Sequence, residues 1–311
     1  MAAGKGVLLM AYGAPERLDQ VESYYLDIRR GSPPPAALLA ELVDRYRAIG
    51  GGSPLSRIVE RQRLALGAEL ARRGLTVAVY AGMKHIAPFI RDAVARMADD
   101  GIRQAVALAL APQHSTFNAQ TYIGAVESAA SSLGPRAPRF SFVESWHDQP
   151  RLIEALAGAT AEALARFPRS ARRPHVFFTA HSLPARIAHG GDPYAREVAA
   201  TAALVAERLG LSDCDVAYQS AGRTAEVWIG PELGAELRRV AETGVREVVV
   251  CPVGFVADHL EVLYDVDIEA QRIARDLGIG LERARSMNDD PIFVAGLADL
   301  VESALREPIP A

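Results

Sequence analysis

FFTAHSLP, at residues 177–184, aligns without gaps with LLMAYGAP, at residues 8–15, and the alignment places His181 opposite Tyr12. A second pair of segments, GIRQAVALALAP (101–112) and GVREVVVCPVGF (244–255), also aligns without gaps. The aligned segments are 169 residues apart in the first pair and 143 in the second, so the first half contains extra chain, which we expect at 28–57. The repeat predicts two similar halves joined near residues 146–160.

Each half alternates short apolar runs with longer amphipathic stretches, and two of these stretches, 58–74 and 193–210, have helical periodicity. Continuously apolar strands between helices are typical of parallel sheets that are covered on both faces. The sequence therefore predicts an α/β fold with one half at 1–150 and the other at 151–311. The predicted strands are 6–13, 76–82, 105–112, 140–145, 175–182, 216–222, 247–255 and 280–288.

Composition excludes several classes of protein. A net charge of −4 argues against a general nucleic-acid binder. The two cysteines, Cys214 and Cys251, are too few for a disulfide scaffold and lack the close spacing of a zinc or iron–sulfur site. No run of 18 apolar residues occurs, and the N-terminal segment suits a first strand better than a signal peptide. We therefore expect a soluble, cytoplasmic protein.

Three acidic residues, Glu261, Asp265 and Glu269, recur every four positions in LEVLYDVDIEA (260–270) and are expected to share one face of a helix. Like charges at this spacing repel by about 0.2–0.5 kcal/mol per pair, and no Lys or Arg occurs between Arg246 and Arg272. For Asp265 and Glu269 two interpretations stay open. They form either a solvated helix face or an oxygen-only site for Mg²⁺ or an incoming metal ion.

His181 and Glu261 are the candidates for chemistry. A lone histidine is often structural, but His181 ends an apolar strand, and ligands of parallel sheets bind at the carboxyl ends of strands. Imidazole and carboxylate together suit a divalent transition metal such as Fe²⁺ or Zn²⁺. The apolar neighbours of Glu261 are expected to raise its pKa. His259, only two residues from Glu261, is expected to point to the other side of the helix.

The extra chain at 28–57 contains five arginines and two acidic residues, a local balance of +3 in an acidic protein. Tyrosines and aliphatic residues accompany these arginines. Arginine binds carboxylates in a bidentate manner. A basic rim beside apolar surface predicts a flat, apolar ligand that bears carboxylates.

Eleven segments together resemble the ferrochelatases, and most closely the bacterial coproporphyrin ferrochelatases. They occur in order between residues 8 and 269 and cover nearly the whole chain. They are LLMAYGAP, YYLDIRRG, DRYRAIGGGSPL, MKHIAPFI, APQHSTFNAQTY, VESWHDQP, TAHSLP, GDPY, YQSAGRT, WIGPEL and VGFVADHLEVLYDVDIE.

The resemblance implies a lyase that inserts Fe²⁺ into a porphyrin, with two Rossmann-like halves of parallel sheet around a porphyrin cleft. It gives His181 and Glu261 the role of binding metal or accepting protons, and it matches Asp265 and Glu269 to an outer metal position. It matches Tyr12, in the porphyrin-binding set, to a tyrosine that contacts the iron of the product. The positions that it matches to residues holding the porphyrin and its propionates are Arg29, Arg45, Tyr46, Ser53 and Tyr122. For His85 two interpretations stay open, a structural role at a turn, which we favour, and a contact with substrate.

The expected substrates are coproporphyrin III and Fe²⁺. We expect no permanently bound cofactor, no iron–sulfur cluster and a monomer, with Mg²⁺ as an alternative occupant of the outer acidic site and transient contacts with neighbouring enzymes of haem biosynthesis. Two alternatives stay open. The protein could act on protoporphyrin IX or insert another divalent metal, or it could be a non-catalytic porphyrin carrier, which would have no use for His181 together with Glu261.

Overall fold

Eight strands form two parallel sheets in the part of the chain that our computed structural model describes, residues 4–168, 174–222 and 224–307. The first sheet has the order β2-β1-β3-β4 and the second the order β6-β5-β7-β8. The identical order confirms the repeat, and all eight predicted strands are present. They are β1 (Gly4–Ala11), β2 (Ala78–Met83), β3 (Ile102–Ala109), β4 (Arg139–Val143), β5 (His175–His181), β6 (Cys214–Gln219), β7 (Glu247–Cys251) and β8 (Gly280–Arg283).

Helices cover the sheets because the central strands are apolar on both faces. In β1 the side chains of Val7, Leu8 and Leu9 are fully buried, and so are those of Phe177 in β5 and Val249 in β7. Burying such side chains is the main favourable contribution to folding. The helices of the first half and its connection are α1 (Val21–Ile28), α2 (Ala36–Ala48), α3 (Leu55–Arg72), α4 (Ile90–Asp99) and α5 (Ala119–Leu133).

The extra chain predicted at 28–57 contains α2 and the start of α3, and three α-helices separate β1 from β2 where two separate β5 from β6. The second half continues with α6 (Pro150–Leu164), α7 (Arg186–His189), α8 (Tyr194–Leu209), α9 (Leu233–Glu242), α10 (Leu260–Leu263), α11 (Gln271–Asp276) and α12 (Pro291–Arg306). A π-helix at Asp265–Ala270 separates α10 from α11.

The chain divides into two compact units whose limits differ from the expected boundary at 150. Unit 1 extends to Ala111 and also contains Phe117–Trp146 and the chain from Asn288, whereas unit 2 contains Pro112–Thr116 and His147–Met287. The last helix belongs to unit 1 because it packs on α3. There Arg73 Nη1 is 2.7 Å from Asp299 Oδ1, and Gln62 donates a hydrogen bond of 2.7 Å to the Asn288 carbonyl.

Strand register brings the candidate residues to the carboxyl edge of each sheet. His181, the last residue of β5, pairs with Gln219, the last residue of β6. Tyr12 follows β1 directly, at the position equivalent to His181. None of the helices within the described ranges is both long enough and apolar enough to cross a membrane.

Candidate active site

His181 and Glu261 meet in unit 2. The ring nitrogen His181 Nε2 lies 3.3 Å from Glu261 Oε1. Both side chains are about one-third exposed, and His181 Nδ1 lies against the carbonyl oxygen of Ser182. The pairing of imidazole and carboxylate predicted from the sequence is therefore present, with the imidazole supplied by the end of β5 and the carboxylate by α10.

A second imidazole contacts the same carboxylate, since His259 Nε2 is 3.4 Å from Glu261 Oε2. The expectation that His259 points away from Glu261 is wrong. His259 precedes the first turn of α10 in an extended conformation, with φ −158° and ψ −177°, so helical spacing does not apply to it. The Phe255 ring packs on His259 with centroids 4.8 Å apart. Glu261 thus has an imidazole at each oxygen.

The charges of these side chains shift each other's pKa values. Burial alone would lower the pKa of His181, but the charge and hydrogen bond of Glu261 raise it to about 9. Burial alone would raise the pKa of Glu261, yet His181, and then His259, hold it well below its usual value. The rise expected from the apolar neighbours of Glu261 is therefore wrong, because two imidazoles outweigh them. At neutral pH the pair rests as imidazolium and carboxylate.

The acidic row continues along the π-helix with unequal exposure. Asp265 is buried and accepts a hydrogen bond from the Ser220 hydroxyl, whereas Glu269 is exposed. The Glu269 N–H donates to the Tyr264 carbonyl at 2.9 Å, five residues back, as in a π-helix. The row therefore runs from the imidazole pair to the surface, although the segment is not the uninterrupted α-helix that the spacing predicts.

Gln219 and Tyr194, both buried, attach His181 and Glu261 to the sheet of unit 2. The side-chain amide of Gln219 donates a hydrogen bond of 2.6 Å from Nε2 to the backbone carbonyl of Glu261. The backbone carbonyl of Gln219 accepts one of 2.7 Å from the Ser182 N–H. Tyr194 donates its hydroxyl to the His181 carbonyl at 2.8 Å. Because Gln219 bonds to both sides of the site, it fixes the spacing between the backbone of Glu261 and that of the residue after His181.

No group of three or more His, Cys, Asp or Glu side chains with the geometry to hold a metal ion occurs among the described residues. His181, Glu261, Asp265 and Glu269 are therefore not assembled into a ready-made cluster. Fe²⁺ would have to be bound by rearrangement of these side chains, and their metal-binding roles stay predictions.

In unit 1, aromatic and cationic side chains gather around Tyr12, whose side chain is 42% exposed. The His85 ring lies 4.5 Å from that of Tyr12, and His85 Nδ1 is 2.7 Å from Asp27 Oδ2. Lys84 Nζ stands 5.6 Å from the Tyr12 ring and 5.8 Å from the Tyr122 ring, within the range of cation–π contacts. We call Tyr12, Lys84, His85 and Tyr122 the tyrosine–lysine cluster.

The other predicted porphyrin residues also belong to unit 1 but differ in exposure. Tyr46, Ser53 and Tyr122 are buried. The Ser53 N–H donates to the Pro15 carbonyl at 2.7 Å, which fixes the loop after α2. Arg29 is partly buried, with Nε donating to the Ser32 carbonyl at 3.1 Å, and Arg45 is partly buried on α2. Tyr12, Arg29 and Arg45 are thus the accessible members of the predicted set.

Sequence reasoning missed Lys84 and the role of His259. Lys84 is half-buried, donates a hydrogen bond of 3.0 Å to Thr121 Oγ1, and has a pKa lowered by burial and by the charge of Arg30. One signal was available, because Lys84 follows strand β2 directly and is one of only two lysines in an arginine-rich chain. No comparable signal marked His259, whose orientation depends on where α10 begins.

Comparison with known proteins identifies the family of this chain. The profile of the ferrochelatase family matches residues 4–305. A ferrochelatase of Deinococcus radiodurans is 43% identical over 97% of this chain and 96% of its own, and a coproporphyrin III ferrochelatase of Geobacillus kaustophilus is 42% identical over 95% and 94%. The fold is similar to that of the cobalt complex of the sirohydrochlorin chelatase SirB from Bacillus subtilis subspecies spizizenii, with a TM-score of 0.56 and 12% identity over 98% of this chain and 97% of that one. The chain therefore belongs to the ferrochelatase family, the lyases that insert iron into porphyrins.

Proposed function

We propose that this ferrochelatase inserts Fe²⁺ into coproporphyrin III, with His181 and Glu261 at the reacting centre. The observation that carries the catalytic assignment is the contact of Glu261 with two imidazoles at the carboxyl edge of the second sheet. The relatives from Geobacillus kaustophilus and Halalkalibacterium halodurans, 42% and 41% identical, are named coproporphyrin III ferrochelatases and support the substrate.

Metal insertion requires a ligand for Fe²⁺ and acceptors for the two pyrrole protons. Glu261, whose low pKa keeps it ionised, offers a carboxylate to the cation. A cation bound there cancels the negative charge that raises the pKa of His181, so His181 loses its proton and becomes a neutral base. In this proposal the arrival of iron itself prepares the imidazole, which is one-third exposed, to accept the two pyrrole protons one after the other and to pass each to solvent.

Asp265 and Glu269 are proposed to lead hydrated iron from the surface toward Glu261. Glu269 is exposed and Asp265 is buried, so the series of carboxylates extends inward from solvent. Oxygen ligands suit a hydrated cation, whereas the imidazoles around Glu261 suit the partly dehydrated metal. Mg²⁺ is the alternative occupant of the outer pair.

The porphyrin is proposed to contact unit 1 through the tyrosine–lysine cluster and the arginines of the 28–57 segment. Coproporphyrin carries four propionates and protoporphyrin IX carries two. Arg29, Arg45 and Lys84 offer cationic groups to propionates, while the exposed Tyr12 ring offers apolar surface to the macrocycle. A substrate with more carboxylates makes fuller use of these cations.

The test is anaerobic metallation by the purified protein, with Fe²⁺ and either coproporphyrin III or protoporphyrin IX, followed by visible absorption. We expect conversion of coproporphyrin III with little conversion of protoporphyrin IX. A preference for protoporphyrin IX would contradict the substrate assignment and leave the chelatase in place. Binding of porphyrin without metallation of either would contradict the enzymatic assignment and favour a carrier.

A further inference from the structure

Arg283, the last residue of β8, joins two carboxylates, Asp258 and Asp267, that lie close in sequence to the side chains proposed to bind iron. Its guanidinium makes a bidentate contact with Asp267 on the π-helix, with Nε 2.6 Å from Oδ1 and Nη2 3.0 Å from Oδ2. Its third nitrogen, Nη1, is 3.2 Å from Asp258 Oδ1, and Asp258 also accepts a hydrogen bond of 2.7 Å from Ser286. The Arg283 side chain is only 16% exposed. One cation therefore holds two carboxylates on different elements.

The two carboxylates flank the residues proposed to bind iron. Asp258 is adjacent to His259, and Asp267 is two residues from Asp265. Residues 258–269 contain five acidic residues and no Lys or Arg, so their mutual repulsion must be offset from elsewhere in the fold. Arg283 supplies this charge from β8, which is fixed by its pairing with β7.

The π-helix is a rare conformation that occurs mostly as a single turn. In this chain a side-chain contact outside the turn also holds it. Asp267 lies in the middle of the π-helix, and its bidentate bond to Arg283 fixes that turn relative to the sheet. The position of Asp265 and of the preceding α10, with Glu261, depends on the same turn. The fork of a guanidinium can hold Asp267 with two nitrogens and reach Asp258 with the third, which the single ammonium of lysine cannot do.

We propose that Arg283 is a positioning residue for iron binding: by joining Asp258 to Asp267 it sets the geometry of the segment that carries His259, Glu261 and Asp265. The proposal rests on the iron-binding role proposed above for that segment. Arg283 itself contacts neither iron nor porphyrin.

The chain offers a matched control. Arg285 lies two residues further on and also makes a two-nitrogen contact with one carboxylate, with Nε 2.9 Å from Glu162 Oε2 and Nη2 3.4 Å from Oε1. That pair is exposed and distant in sequence from the 258–269 segment. Arg283→Lys and Arg285→Lys therefore make the same chemical change, one at the bridge and one at the surface.

The experiment compares the wild type, Arg283→Lys, Asp267→Asn, the double variant and Arg285→Lys. Anaerobic calorimetry gives the Kd for Fe²⁺ without porphyrin, fluorescence quenching gives the Kd for coproporphyrin III, and steady-state assays give kcat and KM for each substrate. Melting temperatures show whether each variant is folded. Residues that orient metal ligands typically change metal affinity by about 10- to 100-fold when they are replaced.

We expect Arg283→Lys and Asp267→Asn each to raise the Kd and KM for Fe²⁺ about tenfold, with the porphyrin Kd within about twofold of the wild type. The double variant should match Arg283→Lys, because Asp267→Asn removes a bond that Arg283→Lys already breaks. Arg285→Lys should leave both Kd values, kcat and both KM values within about twofold of those of the wild type.

The proposal is overturned if folded Arg283→Lys binds Fe²⁺ as Arg285→Lys does, or if iron and porphyrin binding decline together with the folded fraction. If the wild type binds Fe²⁺ without metallating any porphyrin, the proposed function fails while the Fe²⁺ affinities still decide the role of Arg283. If the wild type binds no Fe²⁺, the proposed function and the proposed role of Arg283 are both contradicted.

Discussion

At the scale of single residues, the site depends on how one carboxylate is shared. Glu261 has His181 at one oxygen and His259 at the other, and the two imidazoles keep it ionised despite its partial burial. An ionised carboxylate between two imidazoles is attractive to a divalent transition metal, which can use both ligand types. We therefore expect this pair to bind a cation before it accepts a proton.

Lys84 is the residue whose replacement best separates porphyrin binding from iron binding. In Lys84→Met the apolar stem is kept and the charge is removed. A hydrogen bond to a charged group contributes about 1.5–3 kcal/mol, so we expect the Kd and KM for coproporphyrin III to rise about tenfold or more. The KM for Fe²⁺ should stay within about twofold. Fluorescence quenching and steady-state kinetics measure these values.

Lys5 is the control for this prediction, because it is the other lysine of the chain and lies exposed at the start of β1. Lys5→Met should leave both porphyrin values unchanged. If Lys84→Met also leaves them unchanged, Lys84 does not contact the propionates, and its place in the tyrosine–lysine cluster is structural.

At the scale of elements, the positions of the strands could be predicted from the sequence, whereas the conformation of the helical segment after β7 could not. The central strands were found because they are apolar runs between turn residues, which a buried parallel sheet requires, whereas the edge strand β8 (GLER) contains one aliphatic residue, Leu281. The segment from His259 to Ala270 failed as an α-helix at two points. His259 stays extended before α10, and the turn at Asp265–Ala270 is a π-helix that Asp267 joins to Arg283 across the chain. Contacts that distant are not encoded in local periodicity.

The loop between β7 and α10 packs closely on the end of β5, beside His181. Gly254 donates its N–H to the Thr179 carbonyl at 3.1 Å, and a Cβ at this position would lie 2.6 Å from the Cβ of Ala180. Gly254→Ala therefore forces the loop away from the end of β5. Overpacking of this kind costs about 1–3 kcal/mol, and it should also lower kcat, because His181 follows Ala180 directly.

Chemical denaturation and steady-state kinetics measure both effects. Gly158→Ala is the control, since Gly158 is exposed on α6 and a Cβ there would have no heavy atom within 4 Å apart from its chain neighbours and the adjoining helix backbone. It should stabilise the protein by about 0.5–1 kcal/mol through helix propensity. Equal stability and kcat in the Gly254→Ala variant and the wild type would show that the loop can move without disturbing His181.

At the scale of the whole molecule, the repeat explains how one chain presents two kinds of site residue. Equivalent strand ends carry Tyr12 in unit 1 and His181 in unit 2, so the same position in two similar sheets serves a predicted porphyrin contact and a predicted iron ligand. The return of α12 to unit 1 was not predictable, because it depends on contacts with α3, such as Arg73 with Asp299, that lie more than 200 residues apart.

The central claim is that Glu261 serves metal insertion and not porphyrin binding, and Glu261→Gln tests it most directly. The measurement is the rate of coproporphyrin III metallation by anaerobic Fe²⁺, with the porphyrin Kd determined on the same preparation. Glutamine keeps the size of the side chain but offers neither a negative charge nor a basic oxygen. We expect the rate to fall by a factor of about 10² or more while the Kd stays within about twofold of the wild type. A variant that metallates at the wild-type rate, or that loses porphyrin binding along with activity, would contradict the account.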